Sequence, residues 1–312
     1  MYEGKSAYEY RPKGGGNIRL CSLTASKADV WVEYEKHYRT DTKQGTVAFL
    51  ITGYTTDKAF IALAPRTQQD YMDCKKRINA AFGKMRAIDV QPKHIRQFMD
   101  LRGQESESRA NRERTFFMNV MSWGFERGHV ITNPCKGIKP FKMKGRDRYV
   151  TDKEYKDVYD IAPPNVQAAM EIAFLCAARQ GDIIKLTKAD IQTEGLFIHQ
   201  GKTGKKQVKR WTPRLRAAVN LAIKQPSEIE TMYILHNRFG TPYTSSGFKS
   251  NWTRWRDKAG HDYTFHDLKA KGISDYEGDK QYFSGHTSKS MMEKYNRSAD
   301  IVDILNPKES KK

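Results

Sequence analysis

Apolar residues recur along the chain with two different periods, and the changes of period mark its parts. Residues 1–23 alternate apolar and polar: Tyr8, Tyr10, Ile18 and Leu20 flank a turn over Pro12–Asn17, which predicts a β-hairpin. Two strands are marginal alone, so the hairpin is part of a small sheet or an ordered arm. From Ala25 the spacing becomes helical. Val30, Tyr34 and His37 mark a first helix, and Thr46 to Ile51 a second that ends before Gly53. Pro65 opens a third, with Tyr71, Cys74, Ile78, Ala81 and Phe82 on one face and Lys75, Lys76 and Arg77 on the other. A short helix follows Pro92, with Ile95, Phe98 and Met99 inward. A longer one runs from Ser106 to Arg127 through Phe116, Val120 and Trp123, and Gly128 closes it. These stripes predict an all-α domain over 25–135, after an arm at 1–24.

Asn133-Pro134 interrupts the pattern, and few core-forming residues follow. Lys136, Lys139, Lys142, Lys144, Arg146 and Arg148 stand there against the single Asp147, so 136–149 is expected to be a connector lying on phosphates. A second domain is expected over 150–306, with a polar tail at 307–312. It opens on the capping box Thr151-Asp152-Lys153-Glu154, whose helix ends near Ile161. Another helix spans Asn165 to Ala178 with Ala169, Ile172, Ala173 and Cys176 inward. Leu196–His199 and Val208–Trp211 read as a hairpin closed by Gly201–Lys205. Helices are expected around 213–224, 245–258, 266–275 and 288–294. The fold class is mainly α with a small antiparallel sheet.

Charge narrows the function. The 312 residues carry a formal net charge of +19 and a pI near 9.6, which points to a polyanionic partner, nucleic acid above all. The most apolar helical run, Ala168 to Ala178, contains Glu171 and is too short to cross a bilayer; no apolar stretch follows the first charges. A cytosolic protein is expected. Cys21, Cys74, Cys135 and Cys176 are scattered, with no zinc-site spacing. No glycine-rich phosphate loop is present, so neither a metal nor a cofactor is expected.

Four polar features of the second half then matter together. Arg179, in Ala-Ala-Arg-Gln-Gly-Asp, comes directly after an apolar helix; its planar fork suits a phosphate, and Asp182 could fix it or an adjoining turn. Lys202 sits at the hairpin tip, followed by Lys205, Lys206, Lys209 and Arg210. His266 and Lys269 share one face of a helix start. His286 follows a glycine, with Tyr295 nine residues on. Each feature alone has a plainer structural reading: an ion pair, a solvated turn, a capping histidine, a packed tyrosine.

In this order, the motifs resemble the tyrosine recombinases, the phage-type integrases, from about Ala25 to the end. The resemblance implies a helical core-binding (SAM-like) domain and a mixed α/β catalytic domain closing around double-stranded DNA attachment sites as a homo-tetramer. A host DNA-bending or excision factor is a further implied partner. It implies that Tyr295 is the nucleophile, with Arg179, Lys202, His266, Lys269 and His286 completing the catalytic set and Asp182 supporting it. Lys269 stands where the family normally has a second arginine. Residues 1–23 resemble the second half of a small sheet used on arm-type DNA sites. Lys75, Lys76, Arg77, Lys142, Lys144, Arg146, Lys205, Lys206, Lys209 and Arg210 are expected to touch DNA. Two other readings fit part of the pattern: a non-catalytic DNA-binding regulator on a decayed recombinase, and a type IB-like topoisomerase.

Overall fold

The computed structural model describes residues 1–11, 16–41 and 45–299 (for 38–41 the backbone only). The apolar positions Ile301, Val302, Ile304 and Leu305 and the polar tail lie outside them. The chain divides into two compact units, 1–144 and 145–312.

The first unit opens on a three-stranded antiparallel sheet, β1 (Tyr2–Glu3), β2 (Ala7–Tyr10) and β3 (Ile18–Ser22), in the order β1-β2-β3. The sequence pattern predicts two strands; β1 is too short to show alternation. Tyr10 and Leu20 pack with Val30 of helix α1 (Lys27–Asp41), which gives the hairpin its apolar support. The helical core follows: α2 (Val47–Thr56), α3 (Lys58–Ile61), α4 (Pro65–Phe82) and α5 (Pro92–Glu126). Leu50, Ile78, Ile95, Phe116, Phe117 and Val120 fill its centre.

Helix α2 does not stop before Gly53 but runs three residues past it. The glycine is there for packing. A Cβ at Gly53 would meet Trp123 Cη2 at 2.1 Å, so the indole lies directly on the helix backbone. Helix α5 is one hydrogen-bonded run broken at Ser106, which has φ −167° and ψ 107°. The two helices expected on either side of this position meet at that kink. Arg102 and Glu113 bridge it through a buried bidentate ion pair, both bonds 2.9 Å.

The second unit contains α6 (Asp152–Ile161), α7 (Pro164–Cys176), α8 (Gln180–Ile183), the hairpin β4 (Gly195–His199) and β5 (Lys206–Arg210), α9 (Pro213–Ile223), α10 (Ser245–Lys258), α11 (Phe265–Asp275), α12 (Lys280–Ser284) and α13 (Lys289–Glu293). The predicted capping box closes α6: Thr151 Oγ1 accepts from Glu154 N, and the Glu154 carboxylate accepts from Thr151 N at 2.9 Å. Helix α7 is buried almost all round, and α9 and α11 flank it. The contact of α11 with α7 is so close that a Cβ on Gly272 would lie 2.0 Å from Phe174 O. Trp252, Phe248, Tyr263 and Phe265 complete the core on the α10 side. Helix α11 is thereby fixed along its length, and it presents its first turn to the site.

Candidate active site

Three segments of the second unit meet at Tyr295, which stands in the turn after α13: the end of α7, the start of α11 and the Ser284-Gly285-His286 turn. Helix α7 ends on Ala177, a buried non-glycine residue in the left-handed region at φ 49°, ψ 38°. This abrupt cap turns the chain, and Arg179 follows as the N-cap residue of α8. The Arg179 side chain is 15% exposed. Its Nη1 donates to Gln200 Oε1 at 2.7 Å, while Asp182 lies 3.9 Å away. The nearer partner of Asp182 is the hairpin turn, whose Gly201 N donates to Oδ1 at 2.9 Å.

Gln200 is a residue the sequence motifs did not flag. It is buried, accepts from Arg179 and from Thr203 Oγ1 (3.0 Å), and donates through Nε2 to Ser284 O at 3.0 Å. One side chain thus joins Arg179, the hairpin and the Ser284-Gly285-His286 turn. Gly285 is left-handed at φ 67°, and a Cβ there would meet Gln200 Nε2 at 2.5 Å. The glycine before His286 is required twice, for its backbone and for this contact. Lys202 is exposed in the hairpin turn that Gln200 begins.

On α11, His266 Nε2 lies 3.1 Å from Tyr295 Oη. His286 stacks on the tyrosine ring at 4.7 Å between centroids, and Ser284 Oγ lies 2.6 Å from its Nδ1. Its Nε2 is buried with no protein partner, leaving one polar atom available for a ligand oxygen. Lys269 is buried one turn along α11. Its Nζ donates to Ala177 O at 2.5 Å and lies 5.8 Å from the centre of the Tyr295 ring.

The site is electrostatically strained toward cations. Burial, then Arg179 and Lys209, push the Lys269 ammonium down to about 7. Burial and then Lys269 push both histidines down to about 4. His266 keeps much of its surface in solvent, so its cationic neighbours are the more persistent cause. Both imidazoles are therefore neutral near pH 7, and His266 Nε2 can accept a proton. An anion placed here would relieve the whole set at once.

The outlying cations are arranged differently. Lys142, Lys144, Lys205, Lys206 and Arg210 are exposed, as are Lys76 and Arg77. Lys75 is half-buried and donates to Thr55 Oγ1 at 3.2 Å. Two of the cations expected on DNA also make bonds within the unit, the exposed Arg146 and the half-buried Lys209. Arg146 donates from Nε to the buried Asp267 at 2.9 Å, adding a second cation to a carboxylate that Arg297 already pairs. Lys209 points inward from β5, donates to Phe283 O and lies 4.7 Å over the Phe283 ring; burial lowers its ammonium to about 8. Among the described residues no helix is long and apolar enough to cross a membrane, and no cluster of His, Cys, Asp and Glu could hold a metal.

The sequence profile of the phage integrase family matches residues 148–301, nearly the whole second unit. The chain is 26% identical over 266 residues to the integrase of Escherichia phage HK022, covering 78% of this chain and 74% of that protein. It shares its fold with a lambda integrase dimer bound to a COC′ core site: TM-score 0.74, 20% identity, 98% of this chain and 97% of that one. It also shares it with a lambda integrase tetramer bound to a Holliday junction: TM-score 0.72, 19% identity, again 98% and 97%. The unit carrying Arg179, His266, His286 and Tyr295 thus belongs to the phage integrase family, the tyrosine recombinases.

Proposed function

We propose that Tyr295 is the nucleophile with which this site-specific recombinase opens and rejoins DNA. The observation that carries the assignment is the 3.1 Å contact of Tyr295 Oη with a neutral His266 Nε2, with Lys269 Nζ 5.8 Å from the centre of the tyrosine ring and Arg179 near enough to act on His266. Oη attacks a backbone phosphorus and the P–O5′ bond breaks. His266 Nε2 takes the phenolic proton, and the products are a 3′-phosphotyrosine and a 5′-hydroxyl. Lys202, on the exposed turn, gives a proton to the leaving 5′-oxygen. Arg179, Lys269 and His286 Nε2 take up charge on the non-bridging oxygens, and Asp182 holds the hairpin turn beside them. The 5′-hydroxyl of a partner duplex then attacks the phosphotyrosine and regenerates the phenol. Each step conserves the phosphodiester count, so no energy-rich nucleotide enters.

The substrate is a pair of duplex attachment sites, held by a tetramer of this chain. Lys142, Lys144, Lys205, Lys206 and Arg210, with Lys75, Lys76 and Arg77, lie on its phosphates. Residues 1–24 form an arm, 25–135 the core-binding domain, 136–149 the connector and 150–306 the catalytic domain. The sheet β1–β3 is suited to arm-type sites, and a host DNA-bending or excision factor would set direction on the nucleoid.

A nicked suicide duplex tests the central assignment. Wild-type protein is expected to form an adduct that survives SDS, and Tyr295→Phe none while still binding the duplex. Binding without an adduct by the wild type would leave a DNA-binding regulator. An adduct from Tyr295→Phe would assign the nucleophile elsewhere.

A further inference from the structure

Asp267 occupies the spacer position between His266 and Lys269, yet its side chain is only 1% exposed and four groups converge on it. Oδ2 caps α11 by accepting from Thr264 N at 2.7 Å and Thr264 Oγ1 at 2.8 Å. Capping would need nothing more. Arg146 Nε nevertheless donates to the carboxylate at 2.9 Å, and Arg297 Nη1 donates to Oδ1 at 2.5 Å.

Arg297 is two residues past Tyr295, and its side chain is 6% exposed. Its Nη1 also donates to Arg148 O at 2.8 Å, and its backbone N donates to Ser274 Oγ at 2.7 Å. Ser274 Oγ in turn donates to Tyr295 O at 3.2 Å. Lys280 Nζ donates to Ser274 O at 2.8 Å and to Asn296 Oδ1 at 2.9 Å.

From Tyr295 to Ala299 the backbone has neither helix nor strand to fix it. Tyr295 N and Asn296 N donate back to Met292 O of α13 at 2.8 and 3.2 Å, and the rest of its placing comes from bonds to the two ends of α11: Asp267 at the first turn and Ser274 at the last. The same helix carries His266. A buried ion pair is a poor source of stability, since an apolar pair of like shape often does as well. What it supplies is direction: Arg297 Nη1 is held between Asp267 Oδ1 and Arg148 O, and a charge-assisted hydrogen bond favours one line of approach.

We infer that Asp267 and Arg297 are positioning residues, which lock the Tyr295 segment onto α11 and so hold Oη at His266. The inference rests on Tyr295 being the nucleophile.

The test uses the full chain, single turnovers on the nicked suicide duplex, and a gel-shift titration of the same duplex. Arg297→Ala is expected to lower the maximal rate of adduct formation about tenfold or more, with half-saturation within about twofold of wild type. Arg297→Lys restores charge and is expected to recover part of the rate. Asp267→Asn combined with Arg297→Ala is expected to be no slower than the slower single variant by more than about threefold, because the two act as one. Full-rate cleavage by Arg297→Ala overturns the inference. So do losses that multiply in the double variant, and rate and affinity falling together by one factor in both Arg297 variants. An adduct from Tyr295→Phe would defeat the nucleophile assignment itself. No adduct from that variant, with Arg297→Ala at full rate, would defeat only the lock.

Discussion

Replacing Lys269 by methionine is expected to make the protein more stable in acid and almost unchanged in base. Lys269 is 1% exposed, faces Arg179 and Lys209, and is pushed down to about 7 from an ordinary 10.5. An amine depressed by folding must lose its proton or be buried charged. The cost is complete below the folded value, shrinks as pH rises from about 7, and vanishes near 10.5. The gap corresponds to about 5 kcal/mol at pH 6 and about 2 kcal/mol at pH 9. Methionine keeps the length and the apolar stem but gives up the bond to Ala177 O, which offsets about 1–2 kcal/mol. At pH 6 the net gain is about 3 kcal/mol, or roughly 6–10 °C in Tm for a unit of this size. At pH 9 it is less than about 1 kcal/mol. Removing the cation also lets His266 and His286 rise from about 4, which adds in the same direction in acid. Calorimetry of DNA-free protein at the two pH values measures the difference. A stabilisation equal at both, or larger at pH 9, would refute the reasoning. The same variant is expected to lose cleavage by about tenfold or more, since the ammonium is unstable only until a phosphate arrives.

Two further perturbations probe the supports of the site. Gly272→Ala places a methyl 2.0 Å from Phe174 O, backbone against backbone. It is expected to cost roughly 3 kcal/mol in thermal unfolding of the second unit, and cleavage falls with it because α11 carries His266. Gln200→Ala removes the acceptor of Arg179 and the donor to Ser284 O. Adduct formation is expected to fall about tenfold with duplex affinity held, and Gln200→Glu does not rescue it because glutamate lacks the amide donor.

The amphipathic helices were legible because each buries a stripe of its own residues: α4 through Cys74, Ile78 and Phe82, α7 through Ala169, Ile172 and Cys176. The break at Ser106 also shows in the sequence, where apolar spacing lapses between Met99 and Phe116. Elements of four or five residues, such as α3, α8 and α12, are too short for a period to appear. Gly53 was misread as a stop because a glycine that admits an indole looks, in sequence, like one that ends a helix. The structure gathers Arg179, His266, Lys269 and His286 around Tyr295, in segments whose motifs announce them. Gln200 and Arg297 carried no such signal. Their partners stand 84 and 30 residues away, and a polar side chain reveals a long-range acceptor only once the chain has folded. For the same reason the inward contact of Lys209 with Phe283 O was hidden in the sequence, as was the bond from the exposed Arg146 to Asp267.

The left-handed Ala177 sets backbone energy against packing. An L-residue there sits about 1 kcal/mol above its relaxed state, and glycine would remove that penalty. But the alanine methyl is fully buried in a cluster with Ile273, Met292 and the ring of Tyr295. Glycine would exchange a taut turn for a loose one, leaving a gap beside Tyr295 and freeing the chain that carries Arg179. The fold thus carries a small permanent tension at the joint between its first site arginine and its tyrosine. Relaxing that joint would give back in lost packing about what it relieves in strain, and would loosen the site.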